Sequence, residues 1–277
     1  MIDAIPIAEH VYQISEQEQC QMLRSHYHSC YNNLFSAKEF EPMPGIVRYD
    51  TNIEFPFLNA VFGFPGDKNA FEKCIDEQLS YFKEARLPFV WYLDEDTSDE
   101  VKQVLLDRGF QNLGVFRGVF GFLDQPIPDP VIPEGCSIEQ VMDEQVLEEY
   151  NTLVCDTFSF PMGAPREKNK KAMWASRENP HATAFHWLMR QDGKIVATVT
   201  TVIEGDFVSF WNGATLPEMR KKGYSTTLRR YALQHAVARG CRYGASYLMA
   251  EGMAFGICSK LGYKTKWRFN VFLAPTN

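Results

Sequence analysis

The chain has 277 residues, 45% hydrophobic and 14% aromatic, with a formal net charge of -7. That size and apolar content suit a soluble globular protein of about two domains, and the acidic balance argues against a general nucleic-acid binder. No apolar run reaches the ~20 residues of a membrane span, the start Met1-Ile2-Asp3-Ala4-Ile5-Pro6 has no basic stretch leading into an apolar core as a signal peptide would, and seven scattered cysteines point to reduced thiols in a cytoplasm.

The first periodic stretch, Ser15 to Leu34, reads as a helix. It carries Cys20, His26, His28 and Cys30, but at 100° per residue only His26 and Cys30 share a face, and closed zinc sites use tight paired spacings. Packed thiols and imidazoles are the better reading, and no metal is expected. Ile46 to Thr51 and Leu58 to Phe64 read as strands. Asp67 then caps a helix whose inward face is Phe71, Cys74, Ile75, Gln78, Leu79 and Phe82. A strand follows at Leu87 to Leu93, a helix at Ser98 to Arg108 with Val101, Val104 and Leu105 inward, and a strand at Val115 to Leu123.

Between Asp124 and Pro133, four prolines in ten residues deny both helix and central strand. This segment reads as an extended linker, which places the domains at 1–125 and 134–277 with the linker at 126–133. Beyond it, Cys136 to Val141 is a strand, and Asp143 to Phe158 a helix striped by Val146, Leu147, Tyr150, Val154 and Phe158. Pro165 to Arg177 is a second helix. The apolar loop Ser159 to Ala164 between them is either a pocket wall or a plain connection. Thr183 to Met189 and Lys194 to Ile203 are strands joined by the turn signal Gln191-Asp192-Gly193.

The most informative stretch follows. An apolar run from Phe207 to Ala214 leads into Thr215-Leu216-Pro217-Glu218-Met219-Arg220-Lys221-Lys222-Gly223-Tyr224-Ser225-Thr226. Beyond that, Leu228, Tyr231, Ala232, His235 and Ala236 trace one helix face. A helix N-terminus presents unpaired N–H groups and about half a positive charge, and a preceding turn that aims further N–H groups inward makes an anion cradle. Gly223 lets the backbone approach a ligand without a Cβ. Arg220, Lys221 and Lys222 precede the helix, Arg229 and Arg230 lie in its early turns, and no acid interrupts them. The pattern suits a pyrophosphate. The spacing is neither Gly-x-x-x-x-Gly-Lys-Ser/Thr nor Gly-x-Gly-x-x-Gly.

The turn resembles the coenzyme A pyrophosphate loop of the GNAT superfamily of N-acetyltransferases, Arg/Gln-x-x-Gly-x-Gly/Ala, carried by Arg220, Gly223 and Ser225. Ser225 is a small, still compact departure. The sequence to Leu273 continues the likeness: a strand at Cys241 to Met249, a short helix ending Ser259-Lys260-Leu261-Gly262-Tyr263, and a strand from Thr265. In the first half, Leu106-Asp107-Arg108-Gly109-Phe110 echoes Ser259 to Tyr263 after the same strand-helix order, which suggests a divergent duplication. The whole is similar to a tandem-domain GNAT subgroup through Leu87-Pro88-Phe89-Val90-Trp91, the proline linker and Thr215 to Arg220. The implied fold is α+β, two GNAT-like domains each with a mixed, mostly antiparallel sheet flanked by helices.

The resemblance implies acetyl-coenzyme A as cosubstrate and direct transfer of its acetyl group to an amine. The coenzyme-binding set is then Gly213, Ala214, Thr215, Leu216, Arg220, Lys221, Lys222, Gly223, Tyr224, Ser225 and Thr226, with a backbone N–H among the first four polarising the thioester. The first half's counterpart, Gly63 to Lys68, has no basic run and places Asp67 where phosphates would lie, so that half is expected to keep the fold without a coenzyme site. The family's leaving-group acid is the Tyr that opens its Tyr-x-Lys-Leu-Gly-Phe motif, and Cys258 stands there instead. Cys258 is either a shorter replacement acid or a buried structural thiol; Tyr224, Tyr247 or a water are substitutes, and restoring a tyrosine at 258 should help if its space is open. Glu251 is either a general base for the amine or a helix-start acid. Trp211 and Asn212 are placed to face the acceptor, though core packing suits Trp211. The rival function, motivated by Cys258, is a non-catalytic acyl-coenzyme A binding protein. A monomer or homodimer with an amine acceptor whose identity the sequence leaves open (a small amine, an antibiotic, a polyamine or a protein lysine), and neither nucleic acid nor membrane, completes the expectation.

Overall fold

The structure is a computed structural model that describes residues 14–249 and 253–275. The first half runs α1 (Glu16–Asn33), β1 (Lys38–Met43), β2 (Ile46–Asp50), β3 (Ala60–Phe62), α2 (Lys68–Ala85), β4 (Val90–Asp94), α3 (Asp99–Asp107) and β5 (Gln111–Phe122). The second runs β6 (Cys136–Gln140), α4 (Glu144–Thr157), α5 (Ala164–Ser176), β7 (Thr183–Gln191), β8 (Lys194–Glu204), β9 (Phe207–Thr215), α6 (Tyr224–Ala238), β10 (Tyr243–Met249), α7 (Met253–Lys260) and β11 (Lys264–Leu273). Local chemistry fixes the helix starts. Ser15 and Glu18 form a reciprocal capping box on α1, and Asp67 and Asp143 accept N–H bonds at the starts of α2 and α4. Strand β1 escapes the sequence reading because it is an edge strand whose Lys38, Glu39 and Glu41 face solvent, so it lacks the alternation that marks a half-buried strand.

All strands among the described residues join one 11-stranded sheet in the order β1-β2-β3-β4-β11-β5-β10-β9-β8-β7-β6. The closing strands of the two halves are exchanged. β11 lies antiparallel to β4, Phe269 opposite Asp94 and Leu273 opposite Val90, while β5 lies antiparallel to β10, Phe122 opposite Tyr243 and Phe116 opposite Met249. The linear boundaries at 1–125 and 134–277 therefore do not cut the sheet: each half supplies a central strand to the other's neighbourhood. The linker runs beside α6, where Gln234 donates to the Ile127 carbonyl and to Asp129, and Thr227 to the Val131 carbonyl.

Alternation of side chains across the strands divides the core between two faces. On one, α1 packs Leu23, Tyr27, Cys30 and Tyr31 against Tyr92, Phe120, Phe207 and Phe269, and α4 and α5 cover Leu188, Ile195 and Ala214. On the other, α2 and α3 cover Trp91, Leu93 and Phe272, and α6 and α7 cover Val119, Val208 and Phe210. Phe55 of the first half stacks on Phe160 of the second, ring centroids 3.8 Å apart. The apolar loop before α5 is thus a packing element between the halves. His26 and Cys30 do meet, and they face Ser209 and Glu204 instead of the other members of the apparent zinc set: His26 Nε2 is 2.7 Å from Ser209 Oγ, and Nδ1 is 2.9 Å from Glu204. His28 pairs with the Tyr49 hydroxyl.

Candidate active site

The site is built from one departure from sheet regularity. Strands β9 and β10 are parallel partners from Phe207 opposite Tyr243 to Phe210 opposite Ser246. Beyond that point each continues without the other: β9 runs to Thr215 along β8, and β10 runs to Met249 along β5. The two strands form a fork, and its edges expose backbone groups that a sheet neighbour would otherwise use.

A bulge shapes the β9 edge. Ala214 pairs with Thr198 but Trp211 with Thr200, so β9 carries one extra residue. Asn212 absorbs it at φ 50°; its carbonyl accepts from Thr198 Oγ1 at 3.0 Å and its amide reaches Thr200 Oγ1 at 3.3 Å. Past the bulge, the N–H of Leu216 donates to Val196. Antiparallel pairing alternates, so Thr215 turns its N–H and C=O to the open side, and its carbonyl accepts from Arg220 Nε at 3.2 Å. Of the four positions named for the thioester N–H, Leu216 is therefore already engaged and Thr215 faces the fork. Gly213 is exposed and Ala214 buried.

Directly after the fork comes the basic turn. Lys221 and Gly223 both hold positive φ, 63° and 87°, which winds the chain into the first turn of α6. Gly223 is the N-cap and provides no side-chain acceptor. The N–H groups of the first turn thus keep their capacity for an anion, and Arg220, Lys221, Lys222 and Gly223 are all exposed around them. Ser225 and Thr226 are half-buried in that first turn. Tyr224 turns inward, its hydroxyl donating to Gln191, which removes it as a substitute acid. Tyr247 is spent too: its hydroxyl donates to the Leu23 carbonyl of α1, on the opposite face of the sheet from α6.

On the α6 side of the fork, four groups gather. Cys258 is fully buried in the cluster that holds Phe210, Leu228 and Tyr263. Burial raises its thiol above the usual range, against the opposing pull of Arg229 and Ser246. Arg229 is itself 6% exposed; its guanidinium lies over the Phe210 ring at 4.8 Å, and a Cβ on Gly213 would stand 3.0 Å from its Nη2. The Tyr263 hydroxyl is buried without a partner. Cys258 is 0% exposed, with Arg229, Ser246 and Tyr263 around it, so a tyrosine at 258 would have to displace packed neighbours. In the sequence alone, Arg229 reads as one more cation near the turn. The signal was present: Arg229 stands three, four and seven residues before Ala232, Leu233 and Ala236, on the buried face of α6. Trp211 stacks on Tyr27 at 5.5 Å and donates to Ser209, a packing role. Glu251 lies outside the described residues.

The first half closes the same place. β3 and β4 pair in parallel through Phe62 opposite Tyr92, and the Gly63 N–H continues the ladder to the Tyr92 carbonyl at 3.1 Å. The Gly63 carbonyl accepts from the Trp91 indole. Asp67 caps α2, occupying the N–H of Ala70 at 2.7 Å. There is neither a fork nor a free helix start.

Residues 147–251 match the Acetyltransferase (GNAT) family. Among solved structures, the chain is similar to a GCN5-related N-acetyltransferase from Kribbella flavida, with 16% identity and a TM-score of 0.66 over 94% of this chain and 96% of that one. It is also similar to a functionally unknown conserved protein from Staphylococcus epidermidis ATCC 12228, with 12% identity and a TM-score of 0.70 over 90% and 98%. A tandem GNAT protein from the clavulanic acid biosynthesis pathway shares 12% identity and a TM-score of 0.56 over 84% and 80%. At these identities the likeness is one of fold. No curated protein matches the sequence. No helix among the described residues is long and apolar enough to cross a membrane.

Proposed function

We propose that this chain, whose residues 147–251 match the GNAT family of acetyltransferases and whose fold is like that of tandem GNAT structures, is an acetyl-coenzyme-A-dependent N-acetyltransferase acting in the cytoplasm on an amine. The observation that carries the reading is the alignment of the β9–β10 fork with the uncapped, basic start of α6. A fork edge takes an extended amide chain as an added strand would, and an uncapped helix start takes a pyrophosphate. Those are the two recognition elements that coenzyme A requires. Arg220, Lys221, Lys222 and the N–H groups of Gly223, Tyr224, Ser225 and Thr226 would hold the phosphates, and Gly213, Ala214 and Thr215 would flank the pantetheine arm.

The bound coenzyme supplies an activated acyl group, and the protein's share is placement. The Thr215 N–H, facing the fork, is the donor available to polarise an oxygen there. The closed β3–β4 ladder and the Asp67 cap limit the coenzyme to one per chain. A second reading, a non-catalytic acyl-coenzyme A binder, draws support from Cys258, which is buried where the family carries its acid. Calorimetry with acetyl-coenzyme A tests the site. Release of free coenzyme thiol against a panel of primary amines then separates the two readings: turnover with any amine supports the transferase, and tight binding without turnover across the panel supports the binder.

A further inference from the structure

Among the described residues, Arg229 has no counter-ion. Its Nε and Nη1 are buried without a hydrogen-bond partner, and no carboxylate forms an ion pair with it among the described residues. A guanidinium is charged at any physiological pH, and leaving one buried and unpaired is strongly destabilising. The surrounding α6 face is otherwise apolar, lined by Leu228, Ala232 and Leu233, so a leucine or methionine would serve packing better. The chain nevertheless holds this charge within contact range of Gly213 and over Phe210, the residue at which β9 leaves β10. Cys258 stands beside it and also beside Ser246, the matching last residue on the β10 side. The charge therefore lies at the vertex of the fork.

We propose that Arg229 is the group that receives the negative charge of the departing coenzyme sulfur, in place of the absent tyrosine acid. This rests on the coenzyme reading of the fork. As the amine nitrogen bonds to the acyl carbon, the carbon–sulfur bond breaks and its electron pair passes to sulfur. The proton lost by the amine nitrogen goes to water. The sulfur departs as a thiolate held against the guanidinium, and Arg229 keeps its own protons throughout. No acid is then needed at position 258, and the shortness of the cysteine side chain ceases to matter.

The test needs no acceptor. Coenzyme A, in its free thiol form, is bound to the full-length protein, and its ionisation is followed by thiolate absorbance in the ultraviolet against the protein alone, for the wild type, Arg229→Gln, Arg229→Lys and Arg229→Met. An opposite charge at close range lowers an ionisation midpoint by ~1–3 pH units. The wild type should ionise bound coenzyme at least ~1 pH unit below the free thiol, Arg229→Lys should keep part of that effect, and Arg229→Gln and Arg229→Met should abolish it while binding acetyl-coenzyme A within about threefold of wild type. Arg229→Met should also melt at or above the wild-type temperature, because it removes an unpaired buried charge. A wild-type midpoint equal to that of the free thiol, or an unchanged midpoint in Arg229→Gln, would overturn the assignment while leaving the coenzyme site standing. A fall in melting temperature in all three variants with loss of all coenzyme binding would show a structural role and overturn it as well. Failure of wild type to bind either form would overturn the assignment and the coenzyme reading together.

Discussion

The two halves place the same elements around the same kind of strand pair and differ in a few atoms where it matters. At β3–β4 the ladder runs on through Gly63, the Trp91 indole takes the last carbonyl, and Asp67 occupies the helix start. At β9–β10 the ladder stops at Phe210 and Ser246, a bulge turns the next residues outward, and Gly223 leaves the helix start open. Architecture survived in both halves, whereas the ability to hold an extended anionic ligand follows the local ladder and cap. On the proposed reading, an extended anionic ligand is admitted where the fork is open and the helix uncapped and excluded where the ladder closes and the helix is capped, with no difference of topology.

The largest effect that would break this comparison is expected at the two glycines. A Cβ on Gly63 would meet the Gly45 carbonyl oxygen at 2.1 Å, at φ 102°. Gly63→Val should therefore cost about 3 kcal/mol or more in chemical denaturation, from overpacking and positive-φ strain, and leave the number of coenzyme sites unchanged. Gly223 carries the strain without the clash. A Cβ there meets nothing within 4 Å, but φ 87° strains any side chain, so Gly223→Val should cost about 1–3 kcal/mol while keeping the fold, and obstruct ligand approach. We expect a loss of at least ~100-fold in acetyl-coenzyme A affinity, about 2.7 kcal/mol, measured by calorimetry on a protein with native circular dichroism. Normal affinity in that variant would remove the turn from the site.

Position 258 sharpens the comparison at a smaller scale. With Arg229, Ser246 and Tyr263 packed around a fully buried thiol, Cys258→Tyr should lose about 1–3 kcal/mol of stability and gain no turnover. Cys258→Ala should keep turnover within a few-fold, because a thiol whose pKa burial raises stays protonated but is a poor donor to a departing thiolate of ordinary pKa. A hundredfold loss of kcat in Cys258→Ala would return the acid to this residue.

The smallest effect concerns how α1 of the first half docks on β9 of the second. Burial opposes charge on His26, but Cys30 and Glu204 outweigh it and raise its pKa to about 9. Glu204 is itself lowered: burial raises it, and bonds from His26 and Ser29 more than offset that. A raised histidine stabilises fully below its unfolded value of ~6.5 and loses that contribution as pH climbs through about 9. The lowered carboxylate contributes above ~4.3 and fails as pH falls through its folded value. Since Glu204 is partly exposed, screening reduces the pair. Unfolding measured at pH 7 and pH 10 should show wild type losing about 1 kcal/mol more than His26→Gln. Equal losses would mean that the imidazole is uncharged in the folded state.

Much of this was legible in the sequence because local rules carried it. Asp67, Asp143 and Ser15 announced helix starts, and the prolines from 126 to 133 announced a segment without regular structure. The basic turn was legible because charge and glycine stand together in the chain. The exchange of β5 and β11 was not, since strand pairing partners 111–122 with residues far along the chain and no local pattern records that choice. The role of Arg229 was hidden for a related reason. Its helical position was readable, but the fork vertex against which it rests is made by Phe210, Gly213 and Ser246, brought together only by the sheet.

The central claim is that one half binds the coenzyme and the other cannot. Calorimetric titration of the full-length chain with acetyl-coenzyme A measures it most directly. The account predicts a single site per chain, lost in Gly223→Val and retained when Asp67 is replaced by alanine. Two equivalent sites, or binding that persists in Gly223→Val, would contradict it.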